Sequence, residues 1–201
     1  MNKTLNTIFR IGYHGPYILM ITAILMILYE TRNHIPSVVG PSVVGPSVVG
    51  PSVVASLLFI STVGNKILFV IAWNFMNYGL NGVLKRLIKQ PRPKKMIKIN
   101  RQDVVSSRGY GMPSGHAQIA VNNLVFLALL FRNETVTALG ALQTLLTIYQ
   151  RYAFRMHSAV QLLAGTALGT ASGYGLYKAY RHTFDRTDHK NYKKHHSQIV
   201  S

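Results

Sequence analysis

Six apolar stretches, separated by short polar segments, constrain this 201-residue chain more than any other feature of it. They run from Tyr17 to Tyr29 (with flanks from Ile11), Ser52 to Val63, Ile67 to Ile88, His116 to Phe131, Val136 to Arg151 and Ser158 to Tyr180. A helix that crosses a bilayer needs about 20 mostly apolar residues. The first run reaches that length with its flanks, and the second is too short to cross alone. The expected fold is all-α, a polytopic membrane bundle of about six transmembrane helices forming one domain over residues 1–180. A polar, His/Lys-rich tail over residues 181–201 is expected to be disordered.

Charge alone would suggest another class. The chain carries 22 Lys+Arg against five Asp+Glu, for a formal net charge of +17. A strong basic excess usually points to nucleic acid. Yet 48% of the residues are hydrophobic and only 13% are charged, about half the charged share of a soluble domain. Few charges of one sign between apolar runs fit a membrane protein and argue against a nucleic-acid partner. With no cysteine, neither a disulfide nor a thiolate metal site can form. The polar N-terminus, Met1 to Arg10, precedes an apolar run without a small-residue cleavage site, so the first run reads as a retained span rather than a signal peptide.

Between the first two runs lies a repeat, Pro-Ser-Val-Val-Gly at residues 36–40, 41–45 and 46–50, with Pro-Ser-Val-Val-Ala at 51–55. The unit is too short for a solenoid, and its Pro and Gly resist a straight helix. It either completes a kinked second span or forms irregular backbone covered by other helices, and no chemistry is assigned to it. Gly64-Asn65-Lys66 reads as a turn. In the third run Asn74, Asn77, Asn81 and Lys85 share one helix face, a costly arrangement against lipid and a sensible one toward a bundle interior. Gln118 and Asn122, and Thr144, Thr147 and Arg151, form similar polar faces. Gly165, Gly169 and Gly173 make a close-packing face for another helix. Pro91 and Pro93 end the third run, and residues 94–112 form a basic loop.

With six spans, both termini fall on one membrane face, together with the sequon Asn133-Glu134-Thr135. The end of the third helix, the start of the fourth and the junction of the last two fall on the other. Lys and Arg divide too evenly between the faces for the positive-inside rule to fix orientation.

Chemistry-bearing residues gather on that second face: Lys85, Arg92, the string Tyr110-Gly111-Met112-Pro113-Ser114-Gly115-His116, then Arg151, His157 and Gln161. Phosphoryl transfer needs cations for the equatorial oxygens, an in-line nucleophile and an acid for the leaving oxygen. Lys85, Arg92 and Arg151 can supply the cations. Ser114 can cap a helix whose first N–H groups, with Gly115, point at an anion. Of His116 and His157, one can attack phosphorus as neutral imidazole while the other donates a proton. Gln161, one turn after His157, can fix its tautomer; Ser158-x-x-Gln161 also matches a capping box, which would turn Gln161 to the backbone. Taken singly, each residue has a blander reading as a snorkelling anchor or a cap. Their order and shared face favour the chemical one.

Lys-x6-Arg-Pro, Pro-Ser-Gly-His and Arg-x5-His resemble the three signatures of the type 2 phosphatidic acid phosphatase / vanadium haloperoxidase superfamily. The resemblance implies phosphate binding by Lys85, Arg92, Ser114, Gly115 and Arg151. It further implies His157 as nucleophile forming a phosphohistidine, His116 as general acid, no metal or other cofactor, and an active site facing the lumen or the exterior. Two positions depart from the pattern: Gln150 replaces a serine, and Gln161 replaces an aspartate. Residues 110–118 and 157–161 nevertheless look like the dolichyldiphosphatase branch, which carries glutamine at the second position. The implied function is hydrolysis of a polyprenyl diphosphate to the monophosphate by a multi-pass membrane protein of the endoplasmic reticulum or plasma membrane. The alternatives are a phosphatidate-type glycerolipid phosphatase and a catalytically weak lipid-phosphate scaffold. The expected partners are the bilayer and a lipid phosphate or diphosphate substrate; the sequence does not indicate an oligomeric state.

Overall fold

A computed structural model describes the backbone of residues 3–33, 51–94, 96–97 and 109–199, and the side chains of residues 11–32, 60–94, 96–97 and 109–184. Within these it contains five helices and no strand: α1 (Lys3–Asn33), α2 (Pro51–Ile88), α3 (Gly115–Phe131), α4 (Glu134–Ala153) and α5 (Ala159–Ile199). Residues 36–50 of the repeat and most of the basic loop lie outside the described residues. The fourth repeat copy opens α2, with Pro51 at the first helical position, where a missing N–H costs nothing.

Two expected boundaries are absent. Gly64-Asn65-Lys66 makes no turn, and the second and third apolar runs are one continuous helix, α2. A glycine inside a helix costs only about 1 kcal/mol relative to alanine. No atom lies within 4 Å of the position a Gly64 Cβ would occupy, so packing does not force a break there. Among the described residues there are therefore five helices where six were expected. The arrangement of the ends changes accordingly: α1 begins on the face that carries the chemical motifs, and α5 ends away from it. The second difference is the tail, where α5 continues past Arg181 to Ile199. Residues 176–199 contain neither Gly nor Pro and include several good helix formers.

Helix α3 is central, packed on α5, α4 and α1, while α2 lies along the outside. The glycines of α5 make the closest approach. A Cβ at Gly165 would stand 2.5 Å from Ser114 O, one at Gly173 would stand 2.5 Å from Asn122 O, and one at Gly169 would collide with Gln118 O. Backbones this close gain dispersion along their whole length, the main attraction available between helices in lipid. The expected glycine face is thus used within the chain. Gly12 and Gly15 do the same for α1 on α4: a Cβ at Gly12 would lie 2.8 Å from Leu146 O, and one at Gly15 would run into Thr147 Oγ1.

The distribution of polarity is inverted relative to a soluble protein. Ile21, Leu25, Leu68, Phe75, Leu139, Leu145 and Leu163 face outward, whereas Asn74, Asn77, Asn81, Gln118, Asn122 and Asn123 are buried. Asn81 Nδ2 donates to Gln118 Oε1 (2.7 Å) and Pro113 O (3.3 Å), and Gln118 Nε2 donates to Asn77 Oδ1. Deeper, Asn123 Nδ2 donates to Asn74 Oδ1 (3.1 Å) and Pro16 O (3.4 Å). An amide without such a partner would be costly against hydrocarbon, so α2 turns its asparagine stripe onto α3. The apolar core, including Ile27, Val70, Phe126, Leu127 and Leu176, lies toward the end remote from the motifs. Segments Ile11–Arg32 and Ile60–Ile88 are long and apolar enough to cross a bilayer, and α3 is a shorter apolar helix. The protein is membrane-associated.

Candidate active site

Three chain reversals assemble the site. Lys85 occupies the last turn of α2, and Lys89, at φ 52°, takes the left-handed conformation that ends the helix. The chain then runs through Gln90-Pro91-Arg92-Pro93, where Pro at two positions excludes continued helix. At the next reversal Ser114 caps α3, its side chain accepting from Ala117 N, and Ser114 N donates to Gln161 O at 3.0 Å. At the third, α4 stops and Arg155 adopts φ 53°. Met156 N and His157 N both donate back to Arg151 O, at 3.0 and 3.3 Å, which folds His157 under the end of α4.

His157 is 3% exposed. Its Nδ1 lies 2.8 Å from Gly111 O. A carbonyl only accepts, so Nδ1 carries the proton and Nε2 carries the lone pair. Nη1 of Arg92 stands 3.4 Å from that Nε2 and donates to Met156 O at 3.1 Å. Burial is the largest influence on the ring, followed by the charges of Arg92, Lys85 and Arg151. Together they push its pKa down to about 3, with the Gly111 carbonyl pulling the other way. A neutral imidazole whose lone-pair nitrogen lies beside an arginine has the form a nucleophile toward an anion requires.

Arg151 is 3% exposed; its Nη1 donates to Met156 Sδ at 2.7 Å, and its guanidinium lies 4.7 Å from the ring centroid of Tyr13. His116, the second residue of α3, lies within electrostatic range of Arg151, His157, Lys85 and Arg92. Lys85 lies within range of both arginines. Gly115 has Asn81 Oδ1 3.0 Å from where its Cβ would be. The structure therefore brings together the cations, the two histidines, Ser114 and Gly115, as the sequence leads one to expect.

Gln161 is near but does not hold the His157 ring. It forms the capping box instead: Ser158 N donates to Gln161 Oε1 at 3.2 Å, and Gln161 N donates to Ser158 Oγ at 3.3 Å. Its Nε2 donates to Pro91 O (2.8 Å) and Gln90 Oε1 (3.1 Å). Gly111 performs the task expected of it, through a backbone carbonyl. Gly111 is itself placed by its N–H on Gln90 O at 2.8 Å and by the Gln161 amide, 2.5–2.7 Å from where a Gly111 Cβ would be. Sequence reasoning missed Gln90 and Tyr13, and it names Gly111 only as part of a motif, without a role for its carbonyl. Gly111 acts through its main-chain groups and Gln90 through both its carbonyl and its side-chain oxygen; Tyr13 arrives from a helix more than a hundred residues away, and its one sequence clue is the pair of glycines beside it.

Fold and site together define a membrane-associated helical bundle whose polar end holds two histidines among three cations. The chain belongs to the PAP2 superfamily, whose family model matches residues 65–185. It is 30% identical over 129 residues to the dolichyldiphosphatase of Saccharomyces cerevisiae, covering 57% of this chain and 52% of that protein, so the match spans about half the relative's length. The fold is similar to the crystal structure of a transmembrane PAP2-type phosphatidylglycerolphosphate phosphatase from Bacillus subtilis. That likeness has a TM-score of 0.56 at 16% identity, over 92% of this chain and 79% of the other.

Proposed function

We propose that the protein is a lipid phosphatase that removes the terminal phosphate of a polyprenyl diphosphate through a phosphohistidine. The observation that carries this reading is the state of His157: Nδ1 fixed on Gly111 O at 2.8 Å, Nε2 beside Arg92 at 3.4 Å. In the first step the Nε2 lone pair forms a bond to the terminal phosphorus. The bridging P–O bond breaks, and the leaving polyprenyl phosphate takes a proton from His116. In the second step His116 accepts a proton from water as that water attacks the phosphohistidine, and inorganic phosphate leaves with the P–N electron pair returned to Nε2. Lys85, Arg92, Arg151 and the N–H groups opening α3 hold the equatorial oxygens throughout. No carboxylate or metal enters either step.

The polyprenyl diphosphate is favoured by the similarity to the yeast dolichyldiphosphatase. The same cations would hold the phosphate of a glycerolipid, the substrate class named for the structural neighbour. The deciding experiment measures phosphate release by the detergent-purified protein from a polyprenyl diphosphate and from phosphatidate, with His157→Ala as control. Release from the diphosphate alone, lost in the variant, supports the reading. Comparable release from phosphatidate makes the enzyme a broad lipid phosphatase, and turnover by His157→Ala rejects the phosphohistidine.

A further inference from the structure

The family model begins at residue 65, yet a residue of α1 stands inside the site. The guanidinium of Arg151 lies over the ring of Tyr13, 4.7 Å from its centroid, and the Tyr13 and His116 rings are 5.4 Å apart at 52°. The placement is held from both sides of the residue. Gly12 and Gly15 let α1 approach the backbone and Thr147 side chain of α4. Gln143 Nε2 ties α4 to Ile11 O at 3.0 Å, and Asn123 ties α3 to Pro16 O. All four contacts fall within three residues of Tyr13, so the packing of α1 fixes where its ring lies.

We propose that Tyr13 is a positioning residue for phosphate binding, and that α1 thereby completes an anion site whose ligands all come from α2 to α5. The ring face carries the negative end of the aromatic quadrupole and attracts the guanidinium. A guanidinium held over a ring face is restrained in position, and its N–H donors lie in one plane fixed relative to one another. The fork is thereby kept over the ring, within reach of the phosphate oxygens it is proposed to meet. Contact with His116 gives the same ring a hold on the second histidine, so a shift of α1 would move both groups together.

The inference rests on the phosphate-binding reading of the site, and vanadate binding tests it without requiring turnover. The full-length protein, purified in detergent, is titrated with vanadate by calorimetry, alongside Tyr13→Phe, Tyr13→Leu and a protein with 3,4,5-trifluorophenylalanine in place of Tyr13. Phenylalanine keeps the ring face and should bind within about twofold of the parent. Leucine, and the fluorinated ring whose face no longer attracts a cation, should each weaken binding roughly tenfold. Binding by the leucine variant within twofold of the parent overturns the proposal. So does a fluorinated ring that binds as phenylalanine does, since shape alone would then suffice; this comparison decides the matter if the leucine variant does not fold. A parent protein that binds vanadate but releases no phosphate from any lipid loses the proposed activity and leaves this test intact.

Discussion

Gly111 and His157, 46 residues apart, meet through a 2.8 Å hydrogen bond from the ring Nδ1 to the main-chain oxygen. No side chain could replace that oxygen by substitution, yet a side chain could displace it. A Cβ at position 111 would sit 2.5 Å from Gln161 Oε1, so Gly111→Ala must push the strand of chain or the amide aside. The expected result is a fall in kcat of about ten- to a hundredfold with KM changed far less, because the proposed nucleophile, His157, loses its orientation and phosphate binding is kept. A kcat within twofold of the parent would remove Gly111 from the mechanism.

Gln161 tests whether the amide matters as a donor. Gln161→Glu keeps the shape and the acceptor for Ser158 N, but sets a carboxylate against Pro91 O and Gln90 Oε1, both of which now receive hydrogen bonds from Nε2. Two half-buried acceptors left facing a negative group should cost roughly 1 kcal/mol of stability. Activity should fall with it, as the segment bearing Arg92 loosens. Thermal unfolding in detergent, read beside phosphate release, checks both. A variant as stable as the parent would show that the Gln90–Pro91 segment is held by other means.

The glycine face of α5 separates stability from chemistry. Alanine at Gly165 or at Gly173 overpacks α5 against α3 by a similar amount, since each Cβ would meet a carbonyl oxygen at 2.5 Å. Each substitution is expected to cost about 1–3 kcal/mol. Only Gly165 lies against Ser114, so Gly165→Ala should also depress kcat at temperatures where both variants remain folded. Equal activity in the two would mean that α3 can shift without disturbing its N-terminus.

The low pKa of His157 sets a pH dependence with a definite sign. Unfolded, the ring titrates near its ordinary value of about 6.5; folded, it titrates at about 3. Between those values the unfolded chain binds a proton that the folded protein does not. The contribution to stability is therefore complete above about pH 6.5 and is lost progressively as pH falls toward 3. Melting temperatures measured from about pH 7 down to about pH 4 should decline, and the decline should be shallower in His157→Gln. The same value keeps the His157 ring, the proposed nucleophile, neutral in the free protein, so an acid limb of kcat/KM in the range of about pH 5–7 would belong to another group.

The sequence exposes the parts of this site that are side chains in ordered motifs. Lys85, Arg92, Ser114, His116, Arg151 and His157 can be placed on one face from helix periodicity and proline breaks alone, and the structure gathers them there. What it hides is what carries no side-chain signature. A carbonyl such as that of Gly111 looks the same at every position, and the bonds that Gln161 donates to Gln90 and Pro91 follow from where two loops cross. Helix continuity was hidden for a related reason. Gly64-Asn65-Lys66 has turn composition, but turn residues break a helix only where packing or solvent rewards the break. That one decision moved the start of α1 to the motif face and made Tyr13 available to Arg151.

The asparagine stripe of α2 bears on how the protein is made. During synthesis α2 emerges before α3, and Asn74, Asn77 and Asn81 find Gln118 and Asn123 only after the later helix arrives. Until then three amides face either lipid or the insertion machinery, which makes α2 a poor helix to release into the bilayer alone. We expect nascent chains truncated before α3 to remain extractable from membranes, and chains extended through Phe131 to resist extraction. Stable integration of the truncated form would show that the stripe imposes no order on assembly.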